Sequence, residues 1–281
     1  RFFQKFMTTS KPLEQQTKLI LVGATGKLGR SISSYNQVTY GVCSEDNPLL
    51  GEVMEGIQEP LISTLSEVSL KIANIPLIID ASYPENFENV YDFCFQNNIP
   101  LVLASTGHSE KQLQKLEKLS KKVPVLKAPN LSEGVAFFKT SILDPLINGI
   151  FNRVNLPWSN ENMYSNENSR DLNIKIIETH HEKKKDAPSG TALDLKNYIS
   201  KKGLSRHFDL DIEIKSIRDK KSVGKHEVIF KHKNEEFSVM HNALSRDIFG
   251  ESIGLATDIK DKSPGIYSMV DLLKEMEGYD F

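Results

Sequence analysis

The stretch Lys18–Gly29, KLILVGATGKLG, decides the fold of this chain of 281 residues. Lys18–Val22 is predicted to be a buried strand because Leu19–Val22 is an apolar run, and a glycine-rich turn follows at once. A helix-compatible stretch then continues to about Ser34. This order of strand, glycine turn and helix is typical of a dinucleotide-binding unit, because backbone N–H groups of the turn can approach a pyrophosphate at the positive end of the helix.

Strand-like and helix-like segments alternate downstream of this unit. The predicted strands are Val38–Cys43, Leu77–Ala81, Pro100–Ala104 and Val123–Leu126, and the predicted helices are Phe87–Asn97 and Glu110–Lys122. Such alternation predicts βαβ units and therefore an α/β fold with a Rossmann-type, doubly wound parallel sheet.

The pattern changes after residue 130, where longer segments alternate polar and apolar residues. These predicted strands are Ile174–Thr179, Ile212–Arg218, Glu227–His232 and Glu236–His241. The alternation predicts a smaller α+β domain with a mixed or antiparallel sheet. We therefore expect a dinucleotide-binding domain over 17–130, rejoined by about 245–281, and a substrate-binding and oligomerisation domain over 131–244. Residues 1–16 are expected to be a processed or poorly ordered tail, and the Asn-rich stretch Phe151–Leu172 a long surface loop.

Composition narrows the classes of protein. The chain carries 35 Lys and Arg against 37 Asp and Glu, which does not favour a nucleic-acid partner. Its longest apolar runs have strand length, so no membrane partner is expected. Its 2 cysteines, Cys43 and Cys94, lie in apolar surroundings typical of buried thiols in a reducing compartment. We expect a cytoplasmic protein, although the N-terminal segment leaves a plastid location open.

A second motif, Glu178–Leu193, carries the chemistry with the sequence ETHHEKKKDAPSGTAL. A predicted strand ends in two histidines, a basic loop follows, and Pro-Ser-Gly-Thr opens a helix. Individually, a histidine pair, a lysine triplet and a helix cap are usually structural. Together they place an imidazole, an ammonium and a helix N-terminus around one space, which suits a carboxylate substrate and a step that needs a proton donor.

An acidic residue supports dinucleotide binding. Glu45 follows the second predicted strand about twenty residues after the glycine turn, where a carboxylate can accept hydrogen bonds from ribose hydroxyls. Asp46 adds negative charge where the 2′-phosphate of NADP would lie, and neither position is an arginine. The sequence therefore predicts NADH as the preferred cofactor and NADPH as a usable one.

The second motif closely resembles the signature of the dihydrodipicolinate reductase (4-hydroxy-tetrahydrodipicolinate reductase) family. Further matches follow in the family's order: GATGKLG (23–29), IDASYPENF (79–87), PLVLASTG (100–107), VPVLKAPNLSEGV (123–135), SIRDKKSVGKHEVIF (216–230), HNALSRDIF (241–249) and PGIYSM (264–269). The resemblance implies NAD(P)H-dependent reduction of 4-hydroxy-tetrahydrodipicolinate with loss of water, in the diaminopimelate route to lysine. It also implies a homotetramer built through the second sheet.

The resemblance also implies roles for individual residues. His180 and Lys184 match the catalytic pair, with Lys184 the better proton donor. The residues expected to bind the substrate carboxylate are His181, Ser189, Gly190 and Thr191. Those expected to bind the dinucleotide are Gly23, Ala24, Thr25, Gly26, Lys27 and Leu28 at the pyrophosphate, Glu45 at the ribose, and Ala104, Ser105, Thr106, Ala128, Pro129, Asn130 and Leu131 near the nicotinamide.

Two other functions fit the sequence less well than the reductase. A non-catalytic dinucleotide sensor would have no reason to keep His180, Lys184 and the helix start. A semialdehyde or acyl-phosphate reductase needs a nucleophilic cysteine in its second domain, whereas both cysteines fall in the first. The remaining histidines His108, His207, His226, His232 and His241 show no metal-ligand spacing, so they are expected to be structural or exposed and no metal is predicted.

Overall fold

The computed structural model describes residues 18–68, 77–154, 172–205 and 210–277. Its larger sheet has six strands in the order β10-β5-β4-β3-β1-β2, and each neighbouring pair runs parallel. Those strands are β1 (Leu19–Val22), β2 (Tyr40–Val42), β3 (Leu77–Asp80), β4 (Leu101–Leu103), β5 (Pro124–Lys127) and β10 (Gly265–Tyr267). Every residue of β1, β3 and β4 is buried, as expected for central strands covered on both faces.

Helices cover both faces of this sheet. They are α1 (Lys27–Tyr35), α2 (Phe87–Asn97) and α3 (Glu110–Ser120), with α4 (Glu133–Phe137), α7 (Asp247–Glu251), α8 (Ile253–Thr257) and α9 (Met269–Glu277) added from later in the chain. One apolar core joins Leu21 and Ile79 to Leu272 of α9, and the other joins Ile20 and Ile78 to Phe87 of α2. Alternate residues of one strand thus enter opposite cores.

The smaller sheet has four strands in the order β7-β6-β8-β9. They are β6 (Leu172–His181), β7 (Ile212–Asp219), β8 (Gly224–His232) and β9 (Glu235–Ala243). The pair β6 and β7 is parallel and is connected through α6 (Gly190–Leu204), whereas β8 pairs antiparallel with β6 and β9. Because α6 and α5 (Asp144–Val154) contribute to the apolar core on one face, alternate strand residues are buried.

These two sheets confirm the predicted fold class of a Rossmann-type parallel sheet plus a smaller domain with a mixed sheet. The domain boundaries stay predictions, although the strand β10 does return to the larger sheet beside β5. The change of core falls within the helical segment after residue 130, since Ala136 packs in the core of the larger sheet and Phe138 in that of the smaller one.

One prediction of local structure was wrong in part. Residues 151–154 belong to α5 and Leu172 opens β6, so the stretch expected to be loop is shorter at both ends. The apolar positions Leu143, Ile147 and Phe151 lie on one side of the helical segment and are fully buried, which explains why the helix extends this far. Residues 155–171 and the expected tail at 1–16 lie outside the described residues, as does His207.

Within the described ranges, the longest helix is α6, and no helix has the length and apolar character needed to cross a membrane.

Candidate active site

A cleft of about 320 Å³ lies where the carboxyl edge of the larger sheet meets the smaller sheet. Residues from both sheets and their following loops form its walls. They are Lys27, Leu28, Ala104, Ala128, Pro129, Asn130 and Leu131 on one side, and His180, His181, Lys184, Thr191, Val223, Gly224, His226, His241 and Ala243 on the other, with Arg246, Ile248 and Phe249 added from the start of α7, which packs on the larger sheet. The structure therefore brings together the two motifs that the sequence analysis singled out.

The imidazole of His180 reaches the cleft from the end of β6. Alternation along this strand buries Glu178 and His180 on the same face, so the two side chains are neighbours. Nδ1 of His180 hydrogen-bonds a carboxylate oxygen of Glu178, and the His180 ring meets that of His226 edge to face at 5.1 Å. His180 is 7% exposed, so its neighbours hold the ring in one place.

Burial is the main influence on the titration of His180. It lowers the pKa of His180 below the usual histidine value, and although Glu178 opposes this shift, Lys184 and Arg218 add to it. Burial also works against ionisation of Glu178, but hydrogen bonds from Ser216 and Arg218 outweigh it and lower the pKa of the carboxyl group. Near neutral pH we therefore expect Glu178 to be ionised and His180 to be neutral.

The ammonium group of Lys184 stands at the rim of the cleft. A turn after β6, closed by a hydrogen bond from the Lys184 N–H to the His181 carbonyl at 3.0 Å, returns the side chain toward His180. Lys184 Nζ lies 2.9 Å from Oδ1 of Asp186. An ammonium group and a buried imidazole thus both line the cleft, as expected from their positions in the motif.

The N-terminus of α6 forms the floor beside Lys184. Ser189 caps the helix, since its hydroxyl accepts a hydrogen bond from the Ala192 N–H at 3.2 Å. The Thr191 hydroxyl accepts a hydrogen bond from the Asn130 amide at 2.9 Å. Burial raises the pKa of the Asp186 carboxyl group, but Lys184 and the neighbouring backbone, that of Gly190 included, outweigh it and lower the pKa.

The glycine turn follows β1 at the same edge of the larger sheet. Gly23 has φ +82°, and a Cβ there would lie 2.7 Å from the Ala81 carbonyl oxygen, so both conformation and space require glycine. The N–H groups of Gly23 and Ala24 donate to the Val42 carbonyl of β2 at 3.0 and 3.1 Å. The first turn of α1, which begins at Lys27, is therefore the better candidate for binding a phosphate.

This helix start fits a pyrophosphate. Its N-cap is Gly26, which offers no side chain to the first N–H groups, and no acidic residue lies in the first turn. Lys27 and Leu28 face the cleft. The Thr25 hydroxyl accepts a hydrogen bond from the Asn47 amide at 2.9 Å, which ties the turn to the loop after β2. Sequence reasoning did not single out Asn47.

Glu45 and Asp46 lie on that same loop, and both are exposed. The structure does not place them among the residues that line the cleft. Glu45 and Asp46 stand two residues and one residue before Asn47, whose amide contacts Thr25 of the glycine turn. The assignment of Glu45 to the ribose stays a prediction.

The segment Ala104–Thr106 follows β4 and faces the smaller domain. Ala104 lines the cleft, and the Thr106 methyl carbon would lie 3.7 Å from a Cβ added at Gly190. The Ser105 hydroxyl donates to a carboxylate oxygen of the fully buried Asp80 at 2.9 Å, so it is directed into the protein. Asp80 ends β3 and was not predicted, since a single acid after an apolar run has no distinctive spacing.

Sequence reasoning also missed several residues of the cleft, of which His226, His241 and Arg246 are titratable or charged. His226 is 4% exposed and hydrogen-bonds Ser189, and His241 is its cross-strand neighbour. Arg246 donates from Nη2 to Nε2 of His181 at 2.7 Å, which makes that nitrogen an acceptor. Alternation on β8 and β9 could have suggested that the two histidines face inward, but only strand pairing shows that they reach His180.

The buried groups Glu178, His180 and His226 bring potential ligand atoms within 4.8 Å of one another. The surrounding charges do not suit a cation, because the guanidinium of Arg218 already donates to Glu178 at 2.9 Å and Lys184 lies on the same side. His180 and Glu178 are also in direct contact, which leaves no space between them for an ion. The expectation that the enzyme uses no metal stays a prediction.

A parallel nucleotide-binding sheet, a mixed-sheet domain and a cleft that joins a glycine turn to a histidine–lysine pair define the class as a two-domain pyridine-nucleotide-dependent reductase. The model for the N-terminus of dihydrodipicolinate reductase matches residues 17–131, and that for its C-terminus matches residues 154–273. The chain belongs to the dihydrodipicolinate reductase family, and it is an NAD(P)H-dependent oxidoreductase.

Individual relatives agree with this family. The chain is 32% identical over 277 residues to 4-hydroxy-tetrahydrodipicolinate reductase of Clostridium novyi (strain NT), covering 92% of this chain and 98% of that protein. It is 29% identical over 271 residues to the protein of the same name from Clostridium tetani (strain Massachusetts / E88), covering 90% and 95%. The structure of dipicolinate-bound dihydrodipicolinate reductase from Paenisporosarcina sp. TG-14 superposes with a TM-score of 0.65 at 19% identity, covering 90% of this chain and 97% of that chain, and shares its fold.

Proposed function

We propose that this enzyme reduces 4-hydroxy-tetrahydrodipicolinate to tetrahydrodipicolinate in the diaminopimelate route to lysine. The reaction takes up one hydride from NAD(P)H and one proton, and it releases one water. The observation that carries the proposal is the cleft in which His180, Lys184 and the start of α6 face Ala104 and Asn130 across the domain junction. The relatives of the same name support the choice of substrate.

The start of α6 is proposed to bind a carboxylate of the substrate. Thr191 and the helix N–H groups supply hydrogen-bond donors, and the helix dipole favours a negative charge there. His181 stands beside this position as a neutral ring, since Nε2 accepts from Arg246 and burial, together with the charge of Arg246, lowers its pKa. Ser189 fixes the helix end as its cap and so contributes indirectly.

The nicotinamide cofactor is proposed to lie along the carboxyl edge of the larger sheet. The first turn of α1 would hold the pyrophosphate, Glu45 the ribose, and the segments Ala104–Thr106 and Ala128–Leu131 the nicotinamide end. When bound, NAD(P)H supplies the hydride. Asn130 contributes by joining this edge to Thr191, so that the two binding regions keep a fixed relation.

Lys184 is proposed to give the proton that accompanies hydride transfer. Its ammonium group carries three protons, lies at the cleft and is only partly exposed. His180 would orient Lys184 or the reacting group through its ring. Water is excluded from the back of the site, since Glu178, His180 and His226 are all buried.

A coupled assay with synthase-generated substrate tests the proposal, using NADH and NADPH in turn. Lys184→Ala and His180→Gln are expected to lower kcat by about 10²- to 10³-fold while NADH binding stays nearly unchanged. Lys185→Ala serves as a matched control, because that exposed lysine is the next residue and is not among the residues lining the cleft. The proposal fails if the wild-type chain does not reduce this substrate, and the catalytic assignment fails if kcat of both variants stays within a factor of a few.

We also propose that four copies assemble through the smaller sheet and that the enzyme works in the cytoplasm. The sheet face opposite α6 carries Ile177, Ile229 and the half-exposed Met240 next to Glu227, so apolar and charged side chains are both available for contact with a second copy. Both cysteines are buried thiols, which suits a reducing compartment. Light scattering of the purified enzyme should give four times the chain mass, and Ile229→Lys should lower it.

A further inference from the structure

Glu178 has no assigned role, yet it is the most deeply buried charged group beside the proposed catalytic pair. It is 0% exposed and lies two residues before His180 on β6. A buried carboxylate is costly unless each oxygen has a partner. One oxygen accepts from Arg218 at 2.9 Å, and the other accepts from Nδ1 of His180. Each carboxylate oxygen of Glu178 therefore accepts one hydrogen bond.

Arg218 explains why the carboxylate stays ionised. Its guanidinium donates to Glu178 from Nη1 and to the Asp186 carbonyl from Nη2 at 2.6 Å. A guanidinium has donors only, so the oxygen it contacts must accept. Arg218 thus balances the charge of Glu178 and ties it to the loop that carries Lys184.

The ionised carboxylate determines which nitrogen of His180 carries the proton. An acceptor at Nδ1 requires an N–H there, and a neutral imidazole has only one. Nε2 is then an acceptor. It is directed toward Gly224, where an added Cβ would lie 3.2 Å away, and both residues line the cleft. The groups that face the ring are Glu178 on β6, Arg218 on β7, His226 on β8 and Lys184 on the turn.

We propose that Glu178 is a positioning residue that holds the His180 proton on Nδ1, so that Nε2 enters the cleft as a hydrogen-bond acceptor. This inference rests on the proposed function. Within the pair, Lys184 is then the proton donor, and His180 can only receive a hydrogen bond from Lys184 or from the reacting group. The arrangement gives a physical reason for the different roles of the two residues.

The direct test is long-range ¹⁵N–¹H NMR of the full chain labelled with ¹⁵N-histidine, in which His180→Gln assigns the His180 signals. The wild-type ring should show a protonated Nδ1 and an unprotonated Nε2 near neutral pH. A wild-type ring that carries its proton on Nε2 overturns the inference, whatever the activity. Absence of reductase activity in a chain with the expected tautomer instead contradicts the proposed function alone.

Glu178→Gln tests the consequence for catalysis. Its amide oxygen can accept from Arg218 or from His180 but not from both, and its NH₂ group would face Nδ1 as a donor. We expect the proton to move to Nε2 and kcat to fall about 10²-fold, with KM for NADH changed less than about twofold. Glu182→Gln is the matched control, since Glu182 is an exposed carboxylate two residues after His180. A Glu178→Gln enzyme with the proton on Nε2 and unchanged kcat overturns the proposal.

Gly224→Ala tests whether catalysis needs free access to Nε2 of His180, independently of which ring nitrogen carries the proton. The added methyl group would lie 3.2 Å from Nε2 without touching Glu178, so the tautomer should stay as in the wild type while kcat falls about tenfold. If Glu178→Gln does not fold, Glu178→Asp and the wild-type tautomer still decide the question. A change of tautomer in Gly224→Ala with the carboxylate intact would overturn the proposal.

Discussion

The side-chain amide of Asn130 donates a hydrogen bond to the hydroxyl of Thr191 at 2.9 Å, and this bond crosses the junction between the two sheets. Oδ1 of Asn130 accepts a hydrogen bond from the Ser132 N–H at 2.8 Å, so the side chain is held in one orientation. One residue thereby connects the end of β5 to the start of α6. The bond therefore links the two sides of the cleft.

Asn130→Ala should therefore weaken substrate binding more than cofactor binding. Loss of one partly buried hydrogen bond is worth about 1 kcal/mol, so the Kd for pyridine-2,6-dicarboxylate should rise about fivefold. Calorimetric titration measures it. Asn89→Ala removes an amide from an exposed position of α2 and should leave the Kd unchanged. An unchanged Kd in Asn130→Ala would show that the junction bond does not shape the anion site.

Competition at the start of α6 gives a second prediction. Because the Asp186 carboxylate contacts Lys184 beside the start of α6, we expect it to compete with an incoming carboxylate. Asp186→Asn should lower the Kd of pyridine-2,6-dicarboxylate about two- to fivefold, the range of a partly exposed ion pair. Asp211→Asn, an exposed change at the start of β7, is the control. Weaker binding by Asp186→Asn would mean that Asp186 builds the site rather than occupying it.

Cofactor preference follows from the charges after β2. The 2′-phosphate of NADPH would lie beside Glu45 and Asp46, where screened repulsion is worth about a five- to thirtyfold effect. NADH should have the lower KM, and Asp46→Arg should narrow or reverse the difference. Asp92→Arg makes the same charge change on α2 and should not alter the ratio. The ratio of kcat/KM for the two cofactors decides, and a wild-type preference of tenfold for NADPH would contradict the role of these carboxylates.

The stability of the fold should fall in mild acid because of His226. Burial is the main reason why its pKa is lowered to about 3. The charges of His180, His241 and Lys184 also lower this pKa, whereas the charge of Glu178 raises it. Above the unfolded-state pKa of about 6.5 both states are neutral, so His226 contributes no pH dependence there. As pH falls below that value, the unfolded chain binds a proton that the folded chain excludes. The free energy of unfolding therefore falls steadily until the pH approaches 3.

Denaturant unfolding of wild type and His226→Gln at several pH values measures this term. Between pH 6.5 and 4.5 the wild type should lose about 2 to 3 kcal/mol more than the variant. His232→Gln, at the far end of β8, should follow the wild type. Parallel curves for wild type and His226→Gln would mean that His226 titrates normally in the folded state.

Sequence reasoning succeeded where the information is local. The apolar run before the glycines fixed β1, and the stripe of leucines located α3, because each pattern needs only neighbouring residues. The grouping of His180, Lys184 and Thr191 was also predictable, since a strand end, a turn and a helix cap follow one another directly.

Long-range pairing explains what was missed. His226 and His241 reach the cleft only because β8 pairs with β6 and β9 in one register, and a shift by one residue would turn both outward. Asp80 and Ser105 likewise meet through the pairing of β3 with β4. The helical extension to Val154 depends on burial against the smaller sheet, which a stretch rich in asparagine does not reveal.

The strand β10 lies beside β5, although more than a hundred residues separate them in the chain. During synthesis β5 therefore remains an unpaired edge of the larger sheet until the whole smaller domain has been made. Such an edge offers unpaired backbone groups to any other extended chain. The larger sheet is thus completed only after the smaller domain has been made, and a chain that stops before β10 should expose the edge of β5 and aggregate more readily.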